Sequence, residues 1–256
     1  MNILCIGDVV GSQSCAFLRE RLPSFKKLKG VDLVVANCEN SADGNGTTPA
    51  SAEYLFQSGV DILTGGNHTF RRREFYDLLE ESPSILRPAN LPDSAPGRGY
   101  FLCDMGRVQV AVLNLMGTVF MESLRCPFET ADAILKGITE TKIILVDFHA
   151  EATAEKKALG YYLDGRISAL FGTHTHVQTS DEMILPKGTG YITDVGMTGP
   201  IFSALGVKPE LAIAKMKGKL PVRFELAQGE NMMNCVLFQI DDRTGKTLGI
   251  ERFDVR

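Results

Sequence analysis

Short aliphatic runs, each closed by polar residues, recur along this chain and restrict the folds open to it. They are Ile3–Gly7, Asp32–Ala36, Asp61–Thr64, Val108–Leu113, Ile143–Phe148 and Ser168–Phe171. Four to six residues is strand length, and near-continuous apolar character is the mark of a strand covered on both faces. Helical stripes lie between them. Cys15, Leu18 and Leu22 follow the first run at i, i+3 and i+7, and Phe75, Leu78 and Leu79 form a similar stripe after the third. Residues Ala152 to Leu163 read as helix between the fifth and sixth runs. Strands alternating with helices predict α/β architecture. Two stretches look antiparallel instead: "YFLCDMGRVQVAVLNL" from Tyr100, turning at Asp104–Arg107, and "CVLFQIDDRTGKTLGIERFDV", turning at Asp242–Gly245. The expectation is therefore a mixed sheet or two packed sheets. No repeat, low-complexity tract or linker interrupts the 256 residues, which predicts a single domain over 1–256.

Composition excludes several classes. A formal charge of −4 gives no reason to expect a general polyanion binder. Basic clusters at Lys26–Lys29, Arg71–Arg73 and Lys215–Lys219 are ordinarily solvated faces. The start, "MNILCIGDVVG", has no basic n-region, and no apolar run reaches the ~18–20 residues of a membrane span. Six dispersed cysteines without a C-x-x-C pair read as buried free thiols in a reducing cytoplasm. No membrane partner is expected.

The residues just beyond each strand are more informative. "ILCIG" leads to Asp8, "DLVVA" to Asn37-Cys38-Glu39-Asn40, and "DILT" to Gly65-Gly66-Asn67-His68. "IILVDF" leads to His149, and "SALFG" to His174-Thr175-His176. All four histidines of the protein fall at these ends. In α/β sheets, ligands bind where loops from the carboxyl ends of strands converge. Singly, each feature has a plainer role: Asp8 a turn or cap, Glu39-Asn40 a cap for the next helix, His149 a core histidine. His-x-His is stronger, because in an extended segment i and i+2 point the same way about 6.6 Å apart.

The donors Asp8, Glu39, Asn40, Asn67, His149, His174 and His176 outnumber what one catalytic zinc takes from a protein. They suit two metals ~3.5–4 Å apart with a bridging carboxylate. Nitrogen and oxygen donors without thiolate favour iron or manganese, with zinc also compatible. Such a site suits displacement at phosphorus. His68, beside Asn67 and unassigned to metal, is the candidate to protonate the leaving oxygen. Arg71, Arg72 and Arg73 follow the same loop and could hold a substrate phosphate.

The set "GDVVG", "NCEN", "GGNHTF", "VDFHAE" and "GTHTHVQT", in this order, resembles the calcineurin-like metallophosphoesterases. It is most similar to their YmdB-like branch, which hydrolyses 2′,3′-cyclic nucleotides. "DVGMTGP" at 194–200 resembles that branch too. Val10 stands where the broad superfamily has a histidine, and Glu39-Asn40 where it has a bridging aspartate; both departures are typical of the branch. The resemblance implies Asp8, Glu39, Asn40 and His176 on one metal, and Glu39, Asn67, His149 and His174 on the other. His68 would be the proton donor and iron the native metal, with manganese as a substitute. It also implies a four-layer α/β/β/α sandwich of two mixed β-sheets.

The leading expectation is thus a dinuclear-metal phosphodiesterase that turns a 2′,3′-cyclic nucleotide into a 3′-nucleotide. A phosphomonoesterase, 5′-nucleotidase or RNA nuclease on the same centre is the alternative enzyme. A metal-binding regulator acting by protein contact is the non-enzymatic one. The expected partner is a small cyclic nucleotide; RNA and a homo-oligomer are left open.

Overall fold

The computed structural model describes all residues, 1–256. In chain order the first part holds β1 (Asn2–Ile6), β2 (Asp8–Val9), α1 (Gly11–Lys29), β3 (Leu33–Asn37), α2 (Pro49–Gln57), β4 (Ile62–Thr64) and α3 (Tyr76–Glu81). Next come β5 (Tyr100–Asp104), β6 (Gln109–Met116), α4 (Pro127–Gly137), β7 (Ile143–His149), α5 (Thr153–Leu163) and β8 (Ala169–Thr173). The last part holds β9 (Met183–Ile184), β10 (Gly190–Ile192), β11 (Met197–Pro200), α6 (Pro209–Gly218), β12 (Asn231–Ile240) and β13 (Thr247–Val255).

The strands form two mixed sheets. In the seven-stranded one, β1, β3 and β4 run parallel, and β12 pairs antiparallel with β1, β11 and β13. The six-stranded one has the order β5-β6-β7-β8-β10-β9, parallel in the middle with an antiparallel strand at each edge.

Period-two alternation divides the strand residues among three cores. From β1, Leu4 and Ile6 pack with Leu18, Leu22 and Leu55 of α1 and α2, while Ile3 and Cys5 face the other sheet. From β7, Ile143 and Leu145 join that inter-sheet core, and Ile144, Val146 and Phe148 pack under α4 and α5 on Ala131, Leu159 and Leu163. Helices, sheet, sheet and helices make four layers, the α/β/β/α sandwich of the expectation. Strands buried on both faces explain why their sequences are continuously apolar.

All six aliphatic runs are strands, and both hairpins form at the expected turns. At the second, Gly245 takes φ 73° and approaches the Lys142 carbonyl so closely that an added Cβ would lie 2.0 Å from it. Two expectations are corrected, and two helices are added. The stripe at Phe75–Leu79 is a 3₁₀ turn (Arg73–Phe75) feeding the six-residue α3, and Leu78 is half-buried. Helices α4 and α6 were not foreseen, although each begins at a proline at the first-turn position where that residue is favoured. Four cysteines are buried free thiols, but Cys103 is half-buried and Cys126 exposed. No helix is long and apolar enough to cross a membrane.

Candidate metal centre

The plainer roles for the strand-end residues are not the ones they play. The N-cap of α1 is Val10, with no side-chain capping bond, so Asp8 caps nothing. Helix α2 is capped by Thr48 in a reciprocal box with Ser51, nine residues beyond Glu39, which leaves Glu39 and Asn40 free. His149 ends β7, fully buried, but among polar donors.

Three other donors converge on its Nε2. Glu39 Oε1 lies 3.2 Å away, Asn67 Oδ1 3.0 Å and His174 Nδ1 3.1 Å. Donors adjacent in an octahedron around one cation with ~2.1 Å bonds stand about 3.0 Å apart, so this spacing is compatible with a shared ion. Gly66 makes the approach feasible: a Cβ there would fall 2.3 Å from the His149 ring and 2.4 Å from Glu39 Oε2.

A second group adjoins the first. Asp8 is fully buried, and its Oδ1 has no hydrogen-bond partner. An unpartnered buried carboxylate oxygen is costly unless a cation compensates it. Around it stand His176 Nε2 at 3.5 Å and His149 Nδ1 at 4.0 Å. Asn40 Nδ2 sits 3.4 Å from His176 Nε2 and 3.3 Å from Glu39 Oε1. Asn40 thus turns its amide nitrogen inward and its Oδ1 outward, to 2.9 Å from His68 Nδ1. It would offer oxygen to a cation only after a half-turn of the amide. Cys38, beside Glu39, stays a thiol: burial, reinforced by the Glu39 charge, pushes it up to about 12 although Thr47 donates to it.

The His-x-His element differs from its expected form. His174 and His176 follow β8 in a bend, not an extended segment, with φ 99° and 61°. Positive φ costs a non-glycine residue about 1–3 kcal/mol and persists only where its surroundings enforce it. Here Asp194 enforces it: Oδ2 accepts from the Thr175 N–H (3.2 Å), Thr175 Oγ1 (2.7 Å) and Lys156 Nζ (2.7 Å). Lys156 and Asp194 are both fully buried, and the ammonium also reaches the Thr173 carbonyl at 2.8 Å. The His174 N–H donates to Asp8 Oδ2 (3.0 Å), and His176 Nδ1 bonds the Leu205 carbonyl (3.1 Å). The two rings therefore separate, one into each group of donors.

Behind the donors stands a shell that residue types at strand ends did not indicate. His149 Nδ1 meets Thr173 Oγ1 at 2.9 Å, which donates to Asp147 Oδ1 at 2.8 Å, and Thr64 donates to the other oxygen. This chain gives the Nδ1 proton an acceptor, so Nε2 is the nitrogen turned toward the cluster. For His174 the nitrogens exchange roles: Glu151 Oε2 lies 3.0 Å from Nε2 and can accept its proton, and Nδ1 is turned toward the cluster. Glu151 and Asp194 stood within "VDFHAE" and "DVGMTGP"; for Thr64 and Thr173 no local signal existed.

Charge inside the cluster is mutually balanced. Burial alone would raise Glu39, but the charge and hydrogen bond of His149, with His68, hold it well below the carboxylate range. Asp8 is likewise lowered, since His176 and His149 outweigh its desolvation. His149 moves the other way, up to about 9: burial opposes its charge, and Glu39 and Asp8 overcome the penalty. Burial and the His149 charge lower His174. Asp147 is pushed up to about 7 by burial, against its two hydroxyl donors.

The cluster floors a cavity of about 1210 Å³. His68 lines it; the Nδ1 stands 3.2 Å from Glu39 Oε1, and no protein group engages Nε2. Of the arginine triplet only Arg72 lines the cavity, and its guanidinium is tied to the Asp43 (2.6 Å) and Asn45 (3.1 Å) carbonyls. Arg71 and Arg73 are exposed elsewhere, which narrows the phosphate-holding expectation to one residue. Lys208 and Arg223 also line the cavity, unforeseen.

Known proteins are similar to this chain in sequence and in fold. A 2′,3′-cyclic-nucleotide 2′-phosphodiesterase of Bacillus subtilis (strain 168) is 47% identical over 253 residues, 98% of this chain and 96% of the relative. A crystal structure of a phosphatase from Mycoplasma pneumoniae superposes with TM-score 0.95 at 32% identity, covering 100% of this chain and 93% of the other. That of a hypothetical protein from Thermus thermophilus gives TM-score 0.94 at 38% identity, over 99% and 98%. The model of the YmdB-like protein family matches residues 4–253. The chain therefore belongs to the YmdB-like family.

Proposed function

We propose that this protein is a metal-dependent phosphodiesterase that opens 2′,3′-cyclic nucleotides. The observation that carries the reading is the convergence of buried donors on His149 Nε2 beside the unpartnered Asp8 Oδ1. The activity of the 47% identical Bacillus relative supplies the substrate class.

The residues present fit a pair of metal ions. Glu39, Asn67, His149 and His174 would hold one; Asp8, Asn40 and His176, with Glu39 shared, would hold the other. Such a pair, when bound, supplies Lewis acidity to phosphate oxygens and lowers the pKa of solvent water. Nitrogen and oxygen donors without thiolate suit iron or manganese, with zinc also compatible, and the family resemblance is what favours iron. The protein's own contribution is preorganisation: the Thr173–Asp147 and Glu151 contacts fix both rings before any substrate arrives. His68 is anchored through its backbone N–H to Glu39 Oε2 (2.8 Å) and through Nδ1 to Glu39 Oε1 (3.2 Å), so Nε2 points free into the cavity. From there Nε2 gives its proton to the departing 2′-oxygen, leaving a 3′-nucleotide.

The test is product identification from 2′,3′-cyclic AMP, with metal analysis of the protein as purified. We expect 3′-AMP, formed only with metal bound. No metal-dependent hydrolysis, or equal hydrolysis of nucleoside monophosphates or short RNA, overturns the reading.

A further inference from the structure

A second cavity, of about 540 Å³, opens at the amino ends of β7 and β8, opposite the histidine cluster. Five cations line it, Lys136, Lys142, Arg166, Lys187 and Lys246, and no carboxylate does. They come from four separate segments: the end of α4 with the following loop, the α5–β8 turn, the β9–β10 turn and the β12–β13 hairpin. Arg166 is bound to Asp132 (2.6 Å), whereas the four lysines have no carboxylate partner within 4.0 Å. In a chain of formal charge −4, this concentration of unpaired positive charge in one concavity is not average surface.

Two of the lysines are seated, not loose. Gly165 (φ 80°) lies under Lys187, where an added Cβ would come 2.8 Å from the stem. Gly188 (φ 105°) lies under Lys246, at 3.0 Å by the same measure. The floor is aliphatic: Ile138, Ile144 and Ile167 are buried there, with Leu135 at the edge. A cleft of one sign above a low-dielectric floor focuses its potential and attracts anions. Its volume falls in the range of small-molecule sites, roughly 300–1,000 Å³.

We propose that this cavity is a second ligand site, for a small molecule carrying two or more phosphates, of the nucleoside di- or triphosphate class. Lysine binds phosphate as a point charge, and four unpaired lysines exceed what a single phosphate group neutralises. The apolar floor accepts the nucleoside. The site is separate from the catalytic cavity: no residue lines both, and the seven residues of β7 put about 20 Å between Ile143 and His149. It therefore stands whether or not the phosphodiesterase reading does.

Calorimetry on the metal-loaded protein tests it, with ADP, pyrophosphate and adenosine as probes. We expect ADP and pyrophosphate to bind and adenosine not to. In a Lys142→Ser/Lys246→Ser variant, binding at this site should weaken about tenfold or more, with the melting temperature and the activity at the histidine cluster unchanged. If the double variant does not fold, Lys246→Ser alone, an exposed side chain, must weaken ADP binding measurably. Equal binding to wild type and variant assigns the ligand to the catalytic cavity and overturns the proposal. So does binding of neither probe, or binding of a short single-stranded RNA but not ADP.

Discussion

At their carboxyl ends, β7 and β8 deliver His149, His174 and His176 into a buried cluster of carboxylates. At their amino ends, the same two strands border exposed lysines around an aliphatic floor. The difference is in how charge is compensated. In the buried cluster each ionised group answers another: Glu39 against His149, Asp8 against His176, Lys156 against Asp194. Buried charge is tolerated only when paired or bound to a cation, so the groups at this end hold one another in place. The exposed lysines are hydrated, need no partner inside the protein, and stay open to an external anion.

The largest effect should come from Glu39, on which both halves of the cluster converge. Glu39→Gln removes the charge facing His149 and His68, and kcat/KM should fall on the order of 10³-fold with loss of bound metal. A variant that keeps its metal and its rate would break the contrast between the two ends. His68→Ala should lower kcat by about 10²-fold or more at unchanged metal content. That loss should shrink with a substrate whose leaving group departs without protonation, an outcome a packing role for His68 would not produce.

Behind the ligands, Thr173→Val breaks the link from His149 to Asp147. Metal affinity, read by competition with a chelator, should weaken roughly 10–100-fold. An unchanged affinity would show that burial alone orients the ring.

Titration sharpens the comparison further. In the metal-free protein, His149 is raised to about 9 and His176 is also raised, above the ~6.5 of an unfolded histidine. A group that binds its proton more tightly when folded stabilises the fold below its unfolded pKa and loses that contribution as pH rises through the folded value. The melting temperature of metal-free protein should therefore decline from about pH 6.5 to 9, and the metal-loaded protein should lack this decline. Glu39 and Asp8, both lowered, act oppositely and lose their contribution in acid. A flat metal-free profile would mean that these charges do not compensate one another. The smallest effect belongs to Arg71→Ala and Arg73→Ala, exposed outside the cavity, which should leave kcat/KM unchanged in a steady-state assay.

Much of the candidate site was legible because it lies at strand ends, where an aliphatic run stops and a polar residue begins. Asp8, Glu39, Asn67 and His149 needed only that boundary to be noticed, and the rarity of histidine did the rest. The extended geometry assumed for His174 and His176 was wrong, because the φ values of that turn are imposed by Asp194, eighteen residues on from His176. Thr64 and Thr173 carried no signal, since a strand threonine looks alike whether it binds a neighbouring strand or a distant carboxylate. The arginine triplet was conspicuous as a run, yet the strongly basic cavity gathers its four lysines and one arginine from four segments.

By itself, then, the sequence determined the alternation that buries two sheets in four layers, the donors at their carboxyl ends, and the family. Only the tertiary structure decided how the two histidines divide, which hydroxyls orient them, and where positive charge accumulates. The division follows from range. Strand periodicity and strand-end chemistry are properties of neighbouring residues, whereas convergence, burial and electrostatic compensation arise between segments that meet only in the folded chain.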